Sequence, residues 1–531
     1  MMSTFRNTAA ALALSASVVS SAEAAPAPAD SPAGRWWAHI AFLADDTLQG
    51  RLAGQPGYDA AARYVADRLQ ASGVKPFSSA GYLQPVQLIE QTVIADRSSV
   101  SLIDGGASRP LTVGEDLLLG SRIRQPTTTE APLVFIGYGL HIPRFGHDDF
   151  AGQDLRGKIV VAINGGPAEL SGAVKSGARA AETWPALERA GAVGLITLPT
   201  PKSMDIPWAR QRLLAANAGM YLGDAVLQDA KGPRFTATIN PDRAEAFFAR
   251  SGHTYAEVLA LADAGKPITG FPLNLTLRAQ VTSQTRAVTS SNIVGVLPGS
   301  DPRLSREYVA VSAHLDHLGV GAEIGGDRIY NGAMDDASGV ATVLEIAREL
   351  GAARTRPRRS ILFVAFTAEE KGLLGSRAFA QSALAAKGSI VADLNMDMAL
   401  PLWPLKSLYM PGAEESTLGR EAAAVAAAQG IAIVPDPFPD RNVFTRTDQF
   451  SFVRAGVPAV ALKFGFAANT PDAATERVWR AERYHSPSDD LNQPVDLEAA
   501  AKFNAYVKAL ALHLADAPRR PTWMPASVFA K

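Results

Sequence analysis

Five short segments of this 531-residue sequence each contain a side chain that can hold a metal ion: His314 in SAHLDHLG, Asp335 in YNGAMDDASG, Glu370 in AFTAEEKG, Asp397 in NMDM and His485 in ERYHSPSDD. Two imidazoles and three carboxylates can bind two zinc ions if one carboxylate bridges them, because zinc accepts nitrogen and oxygen donors alike. Two such ions, roughly 3.5–4 Å apart, can share a water that becomes hydroxide near neutral pH, while one metal polarises a scissile carbonyl. The adjacent acids Glu369 and Glu370 fit a division of labour. Neighbours on an extended segment point to opposite sides, so one can reach a metal and the other the shared water. A carboxylate beside that water acts as general base and then general acid, a role that contributes about 10²–10⁴-fold. His314-Leu315-Asp316 has the spacing for a supporting carboxylate that accepts the other ring N–H and fixes the tautomer. Asp489 or Asp490 could do the same for His485, and the Tyr484 phenol could hydrogen-bond a developing oxyanion.

The elements that must position these groups are legible as apolar runs. From Ser290 onward strands and helices alternate: strand Tyr308–Ala313, helix Ser338–Leu350, strand Ser360–Phe366, a helix near Gly375–Ser382, strand Ile390–Met396, helix Leu418–Gln429, strand Val457–Phe464 and helix Leu497–Ala515. Such alternation predicts an α/β sheet covered by helices on both faces. Open α/β sheets build sites where strands end at their carboxyl edge. His314, Glu369-Glu370 and Asp397 follow three different strands, so three strand ends aim donors at one edge. Singly, each group has a plainer reading; Asp335-Asp336 beside Gly, for instance, is ordinarily a turn or helix cap. Their combination points to metal-assisted hydrolysis.

Upstream, residues 39–74 read as two helices around a Gly-containing loop, with Ala61, Val65 and Leu69 on one face. Residues 131–284 have another texture: short Gly-rich strands at Leu133–Ile136, Ile159–Ile163 and near Gly194, with a helix through Trp184 and Leu187. They read as a small β-rich domain inserted into the larger one. The expected organisation is a signal segment (1–24), a linker (25–34), the first part of the catalytic domain (35–130), the insert (131–284), the main catalytic part (285–516) and an irregular Pro-rich tail (517–531). The leader reading rests on Arg6, the small apolar run Ala9 to Val19 and Ala22-Glu23-Ala24, which fits a small-x-small cleavage pattern. It implies a periplasmic or secreted protein without stable membrane insertion.

The absence of cysteine excludes disulfides, thiolate zinc sites, a cysteine nucleophile and a lipoprotein anchor, so any metal must be held by His, Asp and Glu. A net charge of -1 does not suggest a nucleic-acid partner, which would favour a concentrated basic face. The oligomeric state is not encoded in any visible pattern. His39, His141, His147, His253 and His513 read as surface or structural, and His317 is not counted among the ligands.

Together the HxD, NGAMDDASG, AEE, NMD and YHSPSD segments resemble the co-catalytic di-zinc peptidases of metallopeptidase family 28, mostly aminopeptidases. The resemblance runs from Trp36 to about Ala515 and includes LQGRLAGQPG near the amino terminus. It implies a three-layer zinc-exopeptidase-like domain with a mixed central sheet, two zinc ions per chain and peptide substrates. It also implies a bridging Asp335 followed by a cis peptide to Asp336, with His314 and Asp397 completing one site and Glu370 and His485 the other. Glu369 would be the general base and Tyr484 the transition-state donor. FIGYG and DLRGKIVV make the insert resemble a protease-associated domain. One run departs from the family pattern: where many relatives carry Ser-Asp-His, this chain has Thr447-Asp448-Gln449, which bears on substrate preference at that wall. The reading to be tested is an exported aminopeptidase. Its rivals are a carboxypeptidase, dipeptidase or amidase on the same core, a single-zinc glutaminyl cyclase-like enzyme, and a non-enzymatic binding relative.

Overall fold

The structure, a computed structural model, describes residues 28–381 and 390–530. The leader-like segment Met1 to Ala24 lies outside the described residues, as does the end of the helix expected near Gly375–Ser382.

The uninterrupted apolar runs become strands buried on both faces, as parallel strands under two helical layers must be. Every residue of Ser360–Phe366 and Ile390–Asn395 is buried. The central sheet runs, in spatial order, Gly219–Leu222, Leu83–Val93, Ser283–Leu297, Ser360–Phe366, Tyr308–His314, Ile390–Asn395 and Ala459–Ala461. The first four pair antiparallel and the last four parallel, so the sheet is mixed.

Helices cover both faces. On one, Pro32–Leu43, Pro56–Ala71, Ser338–Ala352 and Leu497–Asp516 share a core that includes Trp36, Val65, Val340 and Val507. On the other, Leu374–Ala380 and Gln449–Arg454 pack Phe379 and Phe452 against Phe366 of the sheet. The three-layer α/β architecture expected from the alternating pattern is the one observed.

A second sheet stands apart in sequence and core. Its order is Ala107–Leu111, Ser99–Asp104, Phe271–Gln280, Thr128–Phe135, Ile159–Ile163, Gly194–Leu198, Phe235–Ile239 and Leu117–Leu119. It therefore takes in strands upstream of residue 131, where the sequence placed the start of the insert. Ser99–Asp104 and Ala107–Leu111 are short and fully bury only Val100, Leu102 and Leu111, so they carry little apolar signal. Gly219–Leu222 leaves this unit to pair with Leu83–Val93, which ties the two sheets together. The tail beyond Ala517 forms neither helix nor a named strand among the described residues, and the Trp523 indole anchors it by donating to Gly456 O at 3.0 Å.

Candidate metal centre

The parallel strand Tyr308–His314 ends on His314, the turn after Ser360–Phe366 presents Glu369 and Glu370, and Asp397 follows Ile390–Asn395. Asp335 and Asp336 occupy the entry to the helix Ser338–Ala352, joined by a cis peptide. His485 comes from the loop after the helix Pro471–Glu482. All five expected ligands converge.

Asp335 lies at the centre. Its Oδ1 is 3.2 Å from His314 Nε2, and its Oδ2 is 3.3 Å from His485 Nε2. His314 Nε2 also lies 3.9 Å from Asp397 Oδ2, and His485 Nε2 lies 3.3 Å from Glu370 Oε2. One carboxylate thus turns an oxygen toward each of two donor groups, the arrangement a bridging ligand needs. Donor atoms of His314, Asp335 and Asp397 fall within 4.8 Å of one another, and so do those of His317, Asp335 and Glu370. The donor chemistry, nitrogen and carboxylate oxygen without sulfur, suits zinc. Lys463 lies beneath Asp397, its Nζ 3.1 Å from Oδ1.

The electrostatics are those of imidazoles and acids confined together. Burial alone would lower His485, but Glu370 and Asp335 outweigh it and raise the ring to about 9 from 6.5. Burial would likewise raise Asp335, yet His314 and His485 hold it well below the carboxylate range. Glu369 is different: burial, reinforced by Asp397 and Glu370 and opposed by His314, raises it well above its ordinary value.

A pH dependence follows for metal binding. In the metal-free protein the protonated His485 contributes stability that is fully present below about 6.5 and lost as pH rises through about 9. Zinc must displace that proton. Zinc affinity is therefore expected to rise by about tenfold per pH unit across this window for each proton released. Calorimetry in buffers of different ionisation enthalpy would count the protons, and an affinity that is flat with pH would contradict the assignment.

Three buried acids hold the ligand loops together, though not as the spacing suggested. His314 Nδ1 meets the backbone oxygen of Asp316 at 3.0 Å, not its carboxylate. The Asp316 carboxylate instead accepts the backbone N–H groups of Glu369 and Glu370 at 3.0 and 3.3 Å. Asp489 likewise does not orient His485; it accepts from Met334 N and Asp335 N. Asp490 binds its own loop through Asn492. Asp336 accepts from His314 N, Gly339 N and Met398 N. Each carboxylate therefore fixes a neighbouring ligand loop by its backbone, a support that carries no dependence on ring tautomer. Gly339 has to be glycine: an added Cβ would lie 2.2 Å from Met396 O and 2.4 Å from the Asp336 carboxylate. Ala368, Met398 and His485 each take a positive φ beside the donors, the kind of backbone strain that gathers at functional sites.

Two groups went uncounted in the sequence. His317 is fully buried, its Nδ1 lies 2.8 Å from Glu370 Oε1 without hydrogen-bond alignment, and neither ring nitrogen has a hydrogen-bond partner among the described residues. Its signal was the second His of HLDH, masked by the more familiar HxD spacing. Arg51, in LQGR, is buried and donates to the carbonyls of Leu315 and Gly332 at 2.9 and 3.0 Å, and to those of Leu43 and Asn331. It pins the His314 and Asp335 loops to the first helix, which explains why that early segment belongs with the site. Tyr484 lines the cleft onto which Asp335, Glu369 and His485 open, its ring stacked on His485 at 3.9 Å and its hydroxyl accepting from Arg446 Nη2 at 3.1 Å. Of the Thr447-Asp448-Gln449 run, only Thr447 reaches the cleft; Gln449 turns inward to donate to Phe444 O.

A buried imidazole–carboxylate cage at the carboxyl edge of a mixed, three-layer sheet suits a zinc-dependent hydrolase. Residues 292–511 match the family model for peptidase family M28. Among relatives, it is 33% identical over 141 residues to aminopeptidase NAALADL1 of Mus musculus, covering 25% of this chain and 17% of that one. It is 29% identical over 211 residues to leupeptin-inactivating enzyme 1 of Streptomyces exfoliatus, covering 38% of this chain and 44% of that one. These matches span less than half the length of either relative. The solved aminopeptidase from Aneurinibacillus sp. strain AM-1 shares the fold at 19% identity, with a TM-score of 0.52 over 93% of this chain and 96% of that one.

Proposed function

We propose that the chain is an exported exopeptidase with two zinc ions, an aminopeptidase that hydrolyses the first peptide bond of its substrate. The observation that carries this reading is Asp335, whose two oxygens face His314 and His485 separately. In this assignment His314, Asp335 and Asp397 would hold one ion, and Asp335, Glu370 and His485 the other, with His317 beside the second group of donors. When bound, the ions would supply Lewis acidity that lowers the pKa of water and polarises the scissile carbonyl. Glu369, 3.9 Å from His314 Nε2, takes the proton of the attacking water and passes it to the departing amine. As a carboxylate it can accept that proton and as an acid return it, which the two halves of the reaction require. Tyr484 remains a neutral phenol, because burial raises it strongly against the opposing Arg446, and it can donate to the developing oxyanion.

The second sheet, proposed as a protease-associated-like insert, supports an exopeptidase over an endopeptidase. Tyr138 and Trp184 from that unit line the same cleft of about 460 Å³ as Glu369 and His485, so long chains would meet a wall. Export rests on the leader-like segment Met1 to Ala24, and no described helix is long and apolar enough to cross a membrane. The test is metal analysis with a substrate panel. Two zinc ions per chain, loss of activity on chelation and cleavage of aminoacyl anilides but not of N-blocked peptides are expected. Preference for blocked or free-acid substrates would favour the amidase, carboxypeptidase or dipeptidase reading, and a metal-free protein that hydrolyses nothing would favour the binding relative.

A further inference from the structure

The cleft that holds the metal centre carries far more positive charge than its own acids balance, although the whole chain is nearly neutral at -1. Nine Lys and Arg residues line it, against six Asp and Glu. Four of those acids, Asp335, Glu369, Glu370 and Asp397, belong to the cage, where two divalent ions would offset them. Asp205 and Asp229 are left, with Glu476 just behind the wall, and each is shared between two arginines. Asp205 serves Arg441 and Arg446, Asp229 serves Arg377 and Arg454, and Glu476 serves Arg441 and Arg480.

Two cations beside the cage have no carboxylate within ion-pair distance among the described residues. Among the described residues, Arg122 and Lys371 form no ion pair; Arg122 Nη2 donates to Glu370 O at 2.7 Å and Lys371 Nζ to Ala218 O at 3.0 Å. Arg122 is exposed to the cleft, whereas Lys371 is buried. Beside Tyr484 stands Arg446, whose side chain is 41% exposed despite its contact with Asp205. One arginine thus touches the Glu370 turn and another touches Tyr484, so guanidinium groups flank the reacting centre. Charges held in a cleft with low-dielectric walls focus potential and select ligands of opposite sign.

We infer, building on the peptidase reading above, that the preferred substrates are anionic peptides that place a carboxylate on a residue flanking the scissile bond, within reach of Arg122 or Arg446. The carboxylate has two sources, an acidic side chain or the free C-terminus of a very short peptide. A charge-assisted hydrogen bond of this kind corresponds to about 10–100-fold in affinity.

Four compounds separate the sources: Glu-p-nitroanilide against Gln-p-nitroanilide for the side chain, and Ala-Ala against Ala-Ala-amide for the terminus. With the zinc-loaded protein, kcat/KM is expected to favour the charged member of at least one pair by about tenfold or more, mainly through KM. That ratio should shrink in Arg122→Gln or Arg446→Gln and with added NaCl. Calorimetric titration of the Glu369→Gln protein with the same compounds reads binding without turnover, so the inference is decided even if hydrolysis fails. Preference within the first pair assigns the side chain; preference within the second assigns the terminus. Equal or weaker binding and turnover of the charged members in both pairs would overturn it. Hydrolysis of neutral substrates with no charge preference would leave the peptidase reading intact, whereas charge-selective binding without any hydrolysis would remove that reading alone.

Discussion

Replacement of Glu369 by Gln is expected to leave both zinc ions bound and to lower kcat by about 10²–10⁴-fold. The two donor clusters do not require this side chain: one comprises His314, Asp335 and Asp397, and the other His317, Asp335 and Glu370. Glu369 nevertheless reaches the cage, with Oε2 3.9 Å from His314 Nε2, and it is largely buried. Glutamine has the same shape and keeps the backbone N–H that Asp316 accepts, so the turn should hold its conformation. What is lost is the ability to take a proton. The measurement pairs zinc per chain with kcat on a good substrate. Retention of most turnover would remove Glu369 from the base role, and loss of metal would reassign it as a ligand.

Asp335→Asn should act through the opposite route, on metal before chemistry. A bridging carboxylate offers one anionic oxygen to each ion, and an amide offers one neutral oxygen and a nitrogen that cannot ligate. His314, His485 and His317 all surround this carboxylate, and the first two outweigh burial to keep it ionised. The variant is expected to retain at most one zinc ion per chain after dialysis, with activity down by at least about 10³-fold, the scale expected when Lewis acidity is lost. A variant that kept two ions and worked normally would contradict bridging by Asp335. The two substitutions also form a useful contrast. Excess zinc should partly restore Asp335→Asn but leave Glu369→Gln unchanged.

The donors were legible in the sequence because the strands that carry them are apolar without interruption. Tyr308–His314, Ser360–Phe366 and Ile390–Asn395 end within a residue of where the runs end, and the ligands sit at or just past those ends. The helix after Asp335 was equally clear, since its buried positions Val340, Val343, Leu344 and Ala347 recur at helical spacing. The early strands of the second sheet were not, because Ser99–Asp104 and Ala107–Leu111 bury few of their side chains.

Residue identity and residue role separated at the supporting acids. Asp316 and Asp489 were visible as partners of the site, but spacing cannot say whether a carboxylate meets a ring or a backbone N–H; that depends on how two distant loops approach. His317 was discounted for the same reason, its proximity to Glu370 being set by the packing of one turn against another. The cationic wall is further still from sequence. Arg122 and Arg446 stand in different parts of the chain, and only the closure of the second sheet over the first brings them to one cleft. The sequence by itself determined five candidate donors and the strands that aim His314, Glu370 and Asp397, since both depend on local pattern. The tertiary structure alone decided which acids brace the loops and which charges line the cleft, because those depend on contacts between segments far apart along the chain.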